Sequence, residues 1–135
     1  QMLAAMVLGA EGIQVGSRFV TSYESSAHQK FKEAVINAAE GDTQLSLKQL
    51  TPVRLLKNKF FTDVQQAELS GVSVETLQNL LGKGRAKNGM FEGDLENGEL
   101  EIGQVSTLIK NIQPAADIVD ELWKEFEFAL QRPLK

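Results

Sequence analysis

Cysteine is absent from this 135-residue chain, histidine occurs once, and tryptophan and tyrosine occur once each. Without cysteine there is no disulfide, no thiolate metal site and no cysteine nucleophile. The absence fits a reducing compartment, and a cytoplasmic location is expected. An excess of basic residues is also missing. Lys+Arg number 14 against 18 Asp+Glu, for a net charge of −4, where nucleic-acid proteins usually carry a net basic face. No nucleic-acid partner is expected. The longest apolar run, Met2–Ala10, falls well short of the roughly 20 residues that cross a bilayer, so no membrane association is expected either. It does not read as a signal peptide, since no positive residue precedes it and no small-x-small site follows. The chain starts at Gln1 rather than Met, and we expect it to be a piece of a longer polypeptide or to have lost upstream residues. With 42% hydrophobic and 24% charged residues it has the composition of a folded domain, and its length allows one core.

Periodicity predicts helices over much of the chain. Leu3, Met6, Val7 and Ala10 share one face of a helix that stops near Gly9 and Gly12. Ile13–Val15 is a short β-prone run ending at Gly16, too short to stand without neighbouring strands. Ser26 to Gln29 matches a capping box. Phe31, Ala34, Val35 and Ala38 follow on one helical face, with Gly41 as its stop. Thr43–Leu47 reads as extended, and Thr51-Pro52 disfavours helix. Lys57–Leu69 reads as helix, and Ser73 and Gly82 bound another carrying Val74, Leu77, Leu80 and Leu81. Six glycines between Gly82 and Gly103 predict a long, partly extended loop. A helical pattern resumes at Gln104. Pro114 is placed as the first residue of a last helix, which Pro133 stops.

The segment Gly12-Ile-Gln-Val-Gly16-Ser17-Arg18-Phe19 carries the sharpest local chemistry. A short strand ends in Gly-Ser and enters helix-compatible residues. Glycine lets the backbone approach an oxyanion, amides at a helix start point outward, and the Ser hydroxyl adds a donor. Turns of this kind also occur with nothing bound, so a phosphate cradle and a plain turn both remain open from these residues alone. Arg18 neutralises a phosphate in the first case and pairs with Glu11 or Glu24 on the surface in the second. His28, in the first turn of a helix, reads as a surface residue. Glu92, Asp94, Glu96, Glu99 and Glu101 lack the spacing of a calcium loop and read as solvated. Arg54, Lys57 and Lys59 read as a solvated helix start. No catalytic constellation and no metal site is present: Ser-His-Asp order, a metal-spaced His/Asp cluster and GxGxxG after a strand are all missing.

Taken in order, Leu8–Phe19, Ser25–Lys32, Pro52–Phe60, Gly82–Arg85, Glu92–Gly98 and Gly103-Gln104 resemble the C-terminal portion of the nitronate monooxygenase (2-nitropropane dioxygenase-like) family, which includes the flavin-dependent enoyl-acyl-carrier-protein reductase II enzymes. The likeness extends over nearly the whole chain. Family members usually have Gly-Thr where this chain has Gly16-Ser17, a departure that keeps the hydroxyl. The resemblance implies an α/β fold, the C-terminal part of a TIM (β/α)8 barrel binding FMN, with the fragment itself mostly helical. Leu3–Ala10 would be the helix after strand seven and Ile13–Val15 strand eight. Residues 1–22 would form the last helix–strand–helix unit with its phosphate turn, and 23–135 a C-terminal helical region. In such barrels the loops after the last two strands hold a phosphate. The resemblance therefore makes Gln14, Gly16 and Ser17 the cofactor-binding residues, with a Gly-Gly loop just before Gln1 as their complement. The family's catalytic histidine lies upstream and is not His28, so no residue here is assigned to catalysis.

The function this implies is that of a C-terminal fragment of an FMN-dependent oxidoreductase acting on nitronates or on enoyl thioesters, with residues 82–104 covering the substrate mouth. Its partners would be FMN, a small-molecule or acyl-thioester substrate and the preceding barrel segment. A homodimer is a further option, through Trp123, Phe126 and Phe128 on the last helix. The fragment alone would be inactive. The alternative is a stand-alone helical interaction module, in which Gly16-Ser17 is merely a turn.

Overall fold

Local capping chemistry sets most of the element boundaries. In the structure, a computed structural model that describes residues 1–132, the helices are α1 (Met2–Val7), α2 (Ser17–Val20), α3 (Gln29–Asn37), α4 (Lys59–Leu69), α5 (Val74–Leu81) and α6 (Ala115–Leu130). Asn58 begins α4 by accepting from the Phe61 amide at 2.8 Å, and Ser73 begins α5 by accepting from the Thr76 amide. Gly82 ends α5 with φ 65, a conformation that favours glycine. Pro114 is the residue before α6, not its first helical residue. Pro133 lies outside the described residues.

The cap of α3 corrects the expectation from Ser26. His28 is the cap: its Nδ1 accepts from the Lys30 amide at 3.1 Å, and its own amide donates to the Met90 carbonyl at 2.8 Å. The ring lies against Gly93, so His28 is half-buried and not a free surface residue. At the other end α3 stops at Asn37, four residues before Gly41. The Asp42 carboxylate then takes the Ala39 amide and turns the chain.

β1 (Thr43–Ser46) and β2 (Val53–Leu56) form an antiparallel pair with Thr43 opposite Leu56 and Ser46 opposite Val53. Sequence periodicity predicts β1 and misses β2, because Leu55 and Leu56 are both buried and break the alternation of a one-sided strand. Arg54 therefore sits on a strand and not at a helix start. The other edge of β2 meets residues 100–102, where the Leu56 amide donates to the Leu100 carbonyl and the Ile102 amide to the Arg54 carbonyl. The core has two parts. Phe31, Val35, Leu56, Leu100, Ile102 and Ile109 pack together between α3 and this edge. Leu47, Leu55, Phe60, Phe61 and Val64 pack between the hairpin and α4. Each such fully buried side chain contributes about 1.5–3 kcal/mol.

The glycine-rich stretch 82–103 is not a free loop. It contains a π-helical turn, Lys87–Phe91. A Cβ on Gly98 would sit 2.2 Å from the Gly89 Cα, and one on Gly89 would sit 2.7 Å from the Glu99 carbonyl oxygen. The glycines permit two backbones to touch. The Asn58 side-chain amide donates to the Leu95 and Gly98 carbonyls. Arg85 donates to the Leu80, Leu81 and Asn97 carbonyls and stacks 4.8 Å over the Phe60 ring. The helix expected from Gln104 is a short 3₁₀ turn, Gln104–Leu108, followed by extended chain.

Residues 12–15 are neither helical nor paired in a ladder among the described residues, so Ile13–Val15 runs without strand partners. Among the described residues no helix is long and apolar enough to cross a membrane.

Candidate functional site

Residues 14–18 lie where the N-terminal segment meets α6 and the end of the glycine-rich stretch. Gln14 and Gly16 are exposed and Ser17 is half-buried. All three border a cavity of about 760 Å³ shared with Met2, Leu108 and Phe126. The structure therefore brings the three sequence-predicted residues together on one surface.

Gly16 precedes α2, and its carbonyl accepts from the Phe19 and Val20 amides. Among the described residues the amides of Gly16, Ser17 and Arg18 donate to no carbonyl and no side chain, which leaves them available to a ligand. The Gly16 backbone (φ −103, ψ −70) is open to any residue. No described atom other than its chain neighbours lies within 4 Å of where its Cβ would be. Neither conformation nor packing within the described residues requires glycine there. The open space would admit close approach of an outside group, and a phosphate that accepts from successive amides would suit this donor set.

The Arg18 guanidinium does not belong to that donor set, nor does it pair with Glu11 or Glu24. It is bound to Thr21 Oγ1 at 2.9 Å, to the Asn111 carbonyl and Oδ1 at 3.3 and 3.0 Å, and to Glu121 at 3.5 Å. It fastens α2 to α6. The Ser17 hydroxyl accepts from the Gly103 amide at 3.0 Å, which leaves its proton free to donate.

Behind α2 the chain turns through Ser22–Ser25 around a residue that sequence periodicity does not single out. Lys32 is 5% exposed, and its Nζ donates to the carbonyls of Ser22 at 2.6 Å, Ser25 at 2.9 Å and Tyr23 at 3.5 Å. The only sequence signal is a lysine one position after Phe31 on the buried face of α3. Of the acidic residues in the glycine-rich stretch, Glu99 is buried. Burial pushes its carboxyl above the usual value, the charge of Glu101 adds to the shift, and Arg85 opposes it. Of the basic residues Arg54, Lys57 and Lys59, Lys59 is paired with Asp63 and Arg54 donates to the carbonyl and hydroxyl of Thr43.

A family model for nitronate monooxygenase matches residues 1–125. Probable nitronate monooxygenases of Staphylococcus aureus strains MSSA476 and JH9 are 31% and 30% identical over 131 residues, which is 96% of this chain and 36% of each relative. The solved structure of FabK from Thermotoga maritima superposes with a TM-score of 0.87 at 35% identity, covering 96% of this chain and 41% of that one. A point mutant of the same protein gives 0.79 at 34%, covering 39% of that chain. The chain thus spans little more than a third of the length of the curated relatives it matches. Its fold is that of the C-terminal part of a TIM barrel, and it belongs to the nitronate monooxygenase family.

Proposed function

We propose that this chain forms the C-terminal part of an FMN-dependent oxidoreductase and supplies one side of the FMN phosphate site. The observation that carries the reading is the set of unpartnered amides at Gly16, Ser17 and Arg18 beside a glycine that nothing described in the chain requires. Gly16 admits the phosphate, the three amides donate to it, the Ser17 hydroxyl adds a proton, and Gln14 lies at the cofactor edge of the same cavity. Bound flavin supplies redox chemistry: oxidation of alkyl nitronates with dioxygen, or reduction of an enoyl thioester with electrons from a nicotinamide donor. The protein's part is to place the cofactor and tune it. The remaining partners we assign are the substrate and a preceding barrel segment. A second copy of the chain is a candidate for the exposed side of α6, where Trp123 and Phe128 stand in solvent.

The test uses the full-length protein that carries this chain. FMN affinity is measured by flavin fluorescence for the parent and for Gly16→Val. No described atom lies within 4 Å of the added Cβ, so thermal stability should stay near the parent's while FMN binding falls at least tenfold. Unchanged affinity would overturn the placement of the phosphate. A folded parent that binds no FMN would favour the helical interaction module. Steady-state assays with a nitronate and with an enoyl thioester separate the two activities.

A further inference from the structure

Gly103 lies 86 positions from Ser17 in sequence, yet the two residues are built around each other. The Gly103 backbone (φ −70, ψ 157) is a conformation that every residue adopts. Its lack of a side chain answers to one atom. A Cβ would sit 2.7 Å from the Ser17 Oγ, while the next nearest atoms, Ser17 Cβ and Val105 Cγ2, would both be at an ordinary 3.8 Å. The same oxygen accepts from the Gly103 amide.

The backbone on either side is held, so the Ser17 side chain is what must give. The Ile102 amide is bonded to the Arg54 carbonyl on β2, the Gly103 carbonyl accepts from the Ser106 amide, and Ile102 is buried in the core. On the other side the Gly16 carbonyl accepts the first bonds of α2, and Arg18 ties that helix to α6. A side chain at 103 therefore drives Ser17 Oγ out of its position and breaks its bond to the Gly103 amide.

We propose that Gly103 is a positioning residue for the anion-binding turn. It leaves the space that the Ser17 hydroxyl fills and gives that hydroxyl its amide, so that the amides of residues 16–18 hold their orientation toward the FMN phosphate. This rests on the cofactor reading above. It adds that the turn takes its alignment from the far end of the glycine-rich stretch as well as from its own residues.

A double-mutant cycle in the full-length protein tests it, with FMN affinity and thermal unfolding both read for the parent, Gly103→Ala, Ser17→Ala and the pair. Gly103→Ala and Ser17→Ala should each weaken FMN binding about tenfold, the scale of one hydrogen bond in the network. In the Ser17→Ala background the added methyl meets no Oγ, so Gly103→Ala should then change affinity less than about twofold. Should Gly103→Ala alone fail to fold, the pair relieves the overlap, and its match to Ser17→Ala carries the test. Independent losses that multiply, or a Gly103→Ala variant that binds FMN normally, would overturn the proposal. Coupling seen in unfolding but not in FMN affinity would make the contact purely structural and overturn it as well. If the parent binds no FMN, the cofactor reading falls and takes this role with it, while the unfolding cycle still reports whether the contact exists.

Discussion

Replacing Lys32 by Met removes an ammonium group and keeps an unbranched stem at a buried position of α3, at nearly constant volume. Two of the three bonds it breaks, at 2.6 and 2.9 Å, are short enough to be charge-assisted, while the third, at 3.5 Å, is at the limit. The Ser22 carbonyl keeps the Ser25 amide as a donor at 3.3 Å and the Ser25 carbonyl is only partly buried, so the cost is that of two lost bonds to a charged group, about 1.5–3 kcal/mol each and about 3–6 kcal/mol gross. Against it stands the relief of no longer burying a cation that has only neutral partners, itself worth several kcal/mol in principle. The carbonyls stay behind in either case, fixed by the Ser22–Gln113 pairing. We therefore expect the loss to win, with a net destabilisation of about 2–3 kcal/mol. Urea unfolding of the full-length protein, followed by tryptophan fluorescence, measures it. Lys30→Met, on the exposed face of the same helix, is the control and should stay within about 0.5 kcal/mol of the parent. A Lys32→Met variant no less stable than Lys30→Met would refute the reasoning.

Three further outcomes are expected. Gly93→Ala places a Cβ 2.4 Å from His28 Nδ1 at a φ of +80; backbone strain of about 1–2 kcal/mol and a lost cap of about 1 kcal/mol should together destabilise by about 2–3 kcal/mol, and a stability change below 0.5 kcal/mol would count against the packing described. Because the folded state holds the Glu99 proton more tightly than the unfolded chain, stability falls as pH rises from the ordinary value of 4.5 through the raised one. Glu99→Gln should therefore stabilise at pH 7 and do so less at pH 4, and equal gains at both pH values would contradict the sign. The 135-residue chain alone should bind FMN at least ~100-fold more weakly than the full-length protein, as a site that provides only part of its donors must; comparable affinity in a fluorescence titration would show the turn to be sufficient.

What sequence reveals here depends on the range of the interaction that decides each element. Ser73 and Gly82 act within one helical turn of their own position, and α5 begins and ends where they predict; α4 begins at Lys59 and not at the expected Lys57, because Asn58 takes the cap. Ser26 and Gln29 satisfy a local pattern too, but His28 wins the cap because its amide is held by Met90 and its ring is seated on Gly93, both more than 60 residues away. β2 escapes periodicity because it is covered on both faces. The turn stands out in the sequence because a glycine and a serine follow a β-prone run, a local motif. The bond of Ser17 to Gly103 spans 86 positions and no window of sequence contains it; Lys32 reaches carbonyls only seven to ten positions back, but to loop backbone that no side-chain pattern marks.

A stretch that holds six of the chain's eleven glycines invites treatment as a hinge, a site for inserting a tag, or a place where a protease would nick. The backbone contact between Gly89 and Gly98, with Asn58 and Arg85 clamping either side, denies a protease the extended, unpaired segment it needs. An engineer seeking tolerant ground in this protein should look elsewhere: between Gly89 and Gly98 even one added methyl has nowhere to go.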